Sequence, residues 1–174
     1  MTGTAPIAAA IPHRHPALLV DRVVEVEPGR RLVAHKAVSR TEACYRDRDP
    51  KAGEEEYAYP PGRLLESWAQ SAVLLACWEK PNPDVLAGQV ALLAGLRGAR
   101  TLAAVLPGSV LVHEVEMVRD LGDTAIFTGR STVDGAAVLE IGQLTLALRD
   151  ADVLAPSAPE TPDNPDTPDT PERS

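Results

Sequence analysis

Apolar and polar positions alternate over residues 17–27 (ALLVDRVVEVE) and 31–38 (RLVAHKAV), and the Pro28-Gly29 pair between them signals a turn, so a hairpin is predicted. The pattern then changes. Over residues 64–78 (LLESWAQSAVLLACW) nearly every position is apolar or small, with no Gly, no Pro and one β-branched residue. A helix that is apolar almost all round is a buried one. Pro60, Pro61 and Gly62 mark its start, and Pro81 and Pro83 lie just past its end. Strand patterns return at residues 110–118, 124–133 and 136–148, and Asp134-Gly135 between the last two is a strong hairpin signal. Residues 89–100 predict one more strand before the Pro107-Gly108 turn. The expected order is two strands, a buried helix and a four-stranded antiparallel meander.

A flat sheet cannot cover such a helix, so the sheet must curl round it. The expected class is α+β: a hot-dog arrangement over residues 11–150, with about six antiparallel strands wrapped round one central helix. A generic α+β sandwich with the helix on one face is the alternative. Residues 1–10 read as a flexible lead-in. From residue 155 onward, prolines recur every third position from Pro156 to Pro171, and five acids stand against the single Arg173. That period matches polyproline II, so an extended, disordered tail is expected.

A chain of 174 residues has room for one domain and its tail. Hydrophobic residues are 44% but aromatics only 3%, so the core must be aliphatic. The net charge of −8 argues against nucleic acid, which selects a basic stripe. No apolar run approaches the roughly 20 residues that span a bilayer. Residues 1–10 lack a basic n-region and make a poor signal peptide, so the cytoplasm is expected. Cys44 and Cys77 fit no metal spacing, and no phosphate loop or nucleotide fingerprint occurs, so no metal and no cofactor are expected.

Five short strings carry a family likeness. Residues 11–22 (IPHRHPALLVDR), 66–70 (ESWAQ), 93–100 (LAGLRGAR), 106–108 (LPG) and 133–135 (VDG) resemble, in order, strings of the bacterial β-hydroxyacyl-acyl-carrier-protein dehydratases. The resemblance implies a hot-dog dimer with two acyl tunnels at its interface, acting on thioesters carried on the phosphopantetheine of an acyl carrier protein. In that family a histidine from one subunit removes the α-proton of a 3-hydroxyacyl thioester. A glutamate from the other helps expel the hydroxyl as water. Glu66 matches the acid, and its apolar neighbours Leu64, Leu65 and Trp68 predict a buried setting. The alternative for Glu66 is a carboxylate placed to suit the helix dipole.

The base does not match. The family histidine lies in a Gly-His-Phe-Pro string, and setting Pro50 on that proline puts Arg48 in its place. A guanidinium stays protonated at any physiological pH and cannot act as a general base. None of His13, His15, His35 and His113 lies near this loop in sequence. The family glycine whose N–H holds the thioester oxygen falls on Pro61, which has no N–H, with Gly62 one residue off. Glu54, Glu55 and Glu56 stand either at the tunnel mouth or on a solvated loop. Tyr45, Tyr59, Gly62, Trp68 and Gln70 are candidate tunnel residues, and Arg97 and Arg100 could meet carrier acids; plain core and surface roles are the alternatives.

The expected function is one subunit of a heteromeric 3-hydroxyacyl-acyl-carrier-protein dehydratase of fatty-acid or polyketide synthesis. Glu66 would be completed by the histidine of a homologous partner, and a homodimer would be a poor enzyme. A non-catalytic acyl-thioester scaffold and a hot-dog thioesterase are the other readings.

Overall fold

The computed structural model describes residues 2–49, 51–84 and 88–151. Pro50 and the tail from residue 155 lie outside them. The elements are α1 (Thr4–Ala10), β1 (Arg22–Glu27), β2 (Arg31–Ala37), α2 (Pro61–Ala76), β3 (Gln89–Thr101), β4 (Val110–Asp120), β5 (Thr124–Val133) and β6 (Ala136–Asp150). All six strands form one antiparallel sheet in the order β1-β2-β4-β5-β6-β3. The hot-dog expectation holds: the sheet curls round α2, which packs on β2, β4, β5 and β6.

α2 begins with Pro61 at its first turn, where a missing N–H costs nothing, and it keeps Leu64, Trp68, Ala72, Leu74 and Leu75 at 2% exposure or less. Its buried serines donate to carbonyls of the helix itself, Ser67 to Leu64 and Ser71 to Ser67, both at 3.0 Å. Trp68 is fully enclosed, and its Nε1–H donates to the Glu114 carbonyl at 3.1 Å. Gly129 makes room for this contact. At φ +152° a Cβ there would lie 2.0 Å from the Glu114 oxygen and 3.0 Å from Trp68. The Asp134-Gly135 hairpin forms as expected, with φ of +50° and +83°, and it joins β5 to β6.

Three expectations change. The chain after α2 is no simple meander: β3 runs to the far side of the sheet and pairs with β6, the longest strand, leaving Leu93 58% exposed at the sheet edge. The first strand is shorter than its alternation predicts. Gln70 claims the ladder groups of residues 17–19, accepting from Leu19 N–H at 2.9 Å and donating to the Ala17 carbonyl at 2.7 Å. Residues 1–10 are not merely a loose lead-in. They include α1, whose apolar face sinks Ile7 and Ala10 into the core, while Thr2 bridges to Val23.

Candidate functional site

Glu66 stands one turn past Arg63 on α2, on the face that the sheet leaves open, and its side chain is 50% exposed. The expectation of a carboxyl buried within its own chain therefore fails. The apolar neighbours Leu64 and Trp68 point inward at helical spacing, and Glu66 does not. Gln70, one turn later and fully buried, donates from Nε2 to Glu66 Oε1 at 2.8 Å. With its bonds to residues 17 and 19, every arm of that amide is used. Gln70 thus ties the acid to the segment that follows the Pro-His-Arg string.

That segment brings in a residue the sequence had set aside. His13 Nε2 lies 3.6 Å from the same Glu66 Oε1, in ion-pair range but beyond hydrogen-bond length. Its Nδ1 is enclosed with no partner. Burial lowers the His13 pKa below the usual imidazole value, against the pull of Glu66, so the ring is neutral at physiological pH. The signal existed in Pro12-His13-Arg14, but nothing in a separation of 53 residues shows that the two side chains meet.

The loop between β2 and α2 holds the other half. It contains two short 3-10 turns, Ala43–Tyr45 and Glu54–Tyr57. Its anchor is Glu42, which accepts from Lys36 Nζ at 2.9 Å and from the Tyr59 hydroxyl at 3.1 Å, with Arg63 Nη2 at 3.5 Å. Burial alone would raise the Glu42 carboxyl, but Lys36, the Ser39 N–H and Tyr59 together hold it below its usual value. Arg40 lies over the rings of Tyr57 and Tyr45, at 4.5 and 5.7 Å. Arg48 is exposed, with its N–H on the Tyr45 carbonyl at 3.3 Å. Glu54, Glu55 and Glu56 are exposed as well.

Of the candidate tunnel residues, only Gln70 hydrogen-bonds the Glu66 side chain among the described residues. Tyr45 and Tyr59 are buried on the loop side, and Trp68 is plain core. Gly62 is exposed at the second position of α2, where helix geometry leaves backbone donors unpaired. Arg97 and Arg100 are exposed on β3, and Arg100 pairs with Glu140 across the strands. An apolar cavity of about 150 Å³ runs beside His13 between α2 and β3, walled by Val73, Cys77, Val90 and Leu92. Among the described residues no cluster of three or more His, Cys, Asp or Glu side chains could hold a metal, and no helix is long and apolar enough to cross a membrane.

The FabA-like domain matches residues 11–142. The chain belongs to this dehydratase family. It is 40% identical over 150 residues to the 3-hydroxyacyl-[acyl-carrier-protein] dehydratase FabZ of Myxococcus xanthus, covering 85% of this chain and 94% of that one. It is 38% identical to the FabZ of Staphylococcus carnosus, covering 83% and 93%. Among solved structures it is similar to the dehydratase heterocomplex ApeI:P from Xenorhabdus doucetiae, with a TM-score of 0.69, 19% identity, and coverage of 85% and 93%. A hypothetical thioesterase protein with coenzyme A from Streptococcus pneumoniae shares the fold at a TM-score of 0.53 and 15% identity, with coverage of 74% and 85%.

Proposed function

We propose that this chain is one subunit of a heteromeric 3-hydroxyacyl-acyl-carrier-protein dehydratase, lending Glu66 to a site completed by the histidine of a homologous partner. One contrast carries the reading: the acid is held in place by a fully bonded Gln70, while an exposed guanidinium occupies the family base position. The partner imidazole takes the α-proton, the Cβ–O bond breaks as Glu66 delivers a proton to the leaving hydroxyl, and the Cα=Cβ bond forms with release of water. The open edge of β3, with Leu93 exposed beside it, is where a second hot-dog subunit would add its own strand. The half-exposed Glu66 would then be covered by that subunit. The heterocomplex among the fold neighbours is in keeping with such an assembly. The test is co-expression with a histidine-bearing homologue and measurement of enoyl-thioester formation. The pair should turn over, the single chain should not, and Glu66→Gln in the pair should cost at least about 100-fold. A pair whose rate ignores Glu66→Gln overturns the reading.

The contact between His13 and Glu66 favours a second reading, in which a homodimer carries its own neutral imidazole. Against it, Nδ1 is closed in, which leaves only Nε2 to serve, and Nε2 faces Glu66 itself at 3.6 Å. Turnover by the single chain that His13→Asn abolishes would establish it.

A further inference from the structure

Away from the Glu66 carboxylate, the loop side of α2 contains a cleft of about 730 Å³, within the range of small-molecule sites. Leu18 and Leu19 form an apolar wall, and the fixed charges elsewhere in the lining are mostly cationic: Lys36, Arg40, Arg46 and Arg63 stand against one carboxylate, Glu42, which leaves three positive charges. Two donors there have no protein acceptor. The Tyr45 side chain is 1% exposed with its hydroxyl unpartnered, and Arg63 Nε is enclosed without a partner. Burial pushes the Tyr45 hydroxyl up to about 12, so it stays a donor at any working pH. Lys36 is 6% exposed and fixed by Glu42, and Arg40 is fixed by its ring contacts, so these charges are held in place.

Enclosed donors without acceptors are costly, and a surplus of fixed charge selects an anion. A carboxylate offers one charge and a planar pair of oxygens. A phosphate ester offers up to about two charges and two or three acceptor oxygens round one atom, which suits a site with several donors and a surplus of positive charge. We propose that the cleft between residues 16–19, the end of β2 and the start of α2 binds a phosphate group, with Arg63, Tyr45 and Lys36 as its donors and the Leu18–Leu19 wall receiving the organic part. Two sources share that chemistry: the phosphopantetheine arm of a carrier, and a free phosphate. Arg63 lies one helical turn from Glu66, closer than an extended pantetheine chain would hold its phosphate from a thioester at that acid, so affinity and not position distinguishes the two sources.

Calorimetric titration of the full chain at fixed ionic strength with 4′-phosphopantetheine, pantetheine and inorganic phosphate tests this without turnover, so its outcome is independent of the fate of Glu66 in the paired assay. 4′-Phosphopantetheine should bind at least about tenfold tighter than pantetheine. Arg63→Gln should weaken it about tenfold or more, and Tyr45→Phe, which keeps the ring, severalfold. Arg46→Gln, at an exposed position, guards against a folding defect in Arg63→Gln and should also weaken binding severalfold. Inorganic phosphate binding as tightly as the ester keeps the phosphate site and removes the carrier arm as its source. Equal affinity for pantetheine and its phosphate, or binding indifferent to Arg63, Tyr45 and Arg46, overturns the proposal.

Discussion

The two regions that flank the first turns of α2 are both well held, and they differ in what they hold. On one side Gln70 spends all its hydrogen bonds tying Glu66 to residues 17–19. On the other, Glu42 gathers Lys36, Tyr59 and Arg63, and Arg40 spans two tyrosine rings. The loop bearing Arg48 has therefore not decayed into a loose connection. Its framework is as bonded as the acid side, and on the reading proposed above one position on it carries a guanidinium in place of a proton acceptor. A subunit can give up half of a shared site and keep the shape that a partner must recognise.

The largest effect should separate the two sides directly. In a paired enzyme, Glu66→Gln should remove at least about 100-fold of the activity, while in the single chain, where the side chain is half-exposed, it should move stability by no more than about 0.5 kcal/mol. Arg48→Ala in the same pair should leave the rate unchanged. Equal losses from the two would break the contrast. Next comes the support beneath the acid. Gln70→Ala leaves the Leu19 N–H and the Ala17 carbonyl without partners in a buried place, so denaturant unfolding should show a loss of roughly 1–3 kcal/mol. The paired rate should fall with it as Glu66 loses its tether. A stable Gln70→Ala variant with full activity would mean that the acid needs no such holding.

Acid should release the β-sheet and the loop in different windows. His113 is fully buried with its Nδ1 on the Ser131 hydroxyl, and burial, with help from Lys36 and His35, lowers its pKa to about 3. The unfolded imidazole takes its proton near 6.5, so this contribution is complete above 6.5 and drains away as pH falls toward 3, by at most about 1.4 kcal/mol per unit. Glu42, held below its usual 4.5, adds a loss that begins only as pH falls below that value. Urea unfolding at a series of pH values should show both. His113→Gln should remove most of the slope between 6.5 and 4.5, leaving the part that His13 contributes because burial lowers its pKa too, and keep the loss below it. A His113→Gln profile identical to the parent would remove the buried imidazole from the account.

Much of this was readable from local patterns. The run of mostly apolar and small residues at 64–78 marks a covered helix, and Asp134-Gly135 marks a tight hairpin, because both signals live within a few residues. The place of β3 was not readable, since the choice between pairing with β4 and pairing with β6 is made by long-range packing that leaves no local mark. The same holds at the site. Glu66 and Gln70 sit one turn apart and carry their relation in the sequence. His13 meets Glu66, and Arg63 meets Glu42, only through the tertiary fold, across 53 and 21 residues. The burial expected of Glu66 misled for a related reason: apolar neighbours in sequence lie on the other face of a helix.

The smallest effect is the attempt to give the loop its missing group. Arg48→His should change stability by no more than about 0.5 kcal/mol, because Arg48 is exposed. It should also restore little turnover to the single chain. A general base is worth roughly 10²–10⁴-fold, but it acts only with its partners in place. A donor for the thioester oxygen is worth roughly 10²–10³-fold, and Pro61, which the resemblance sets on the family glycine, has no N–H to supply one. An imidazole alone should therefore leave the Arg48→His chain at least about 100-fold slower than the paired enzyme in enoyl-thioester formation. A rate within tenfold of the pair would show that Gly62, one residue along, serves as the donor after all. The two sides of the helix would then differ by a single substitution.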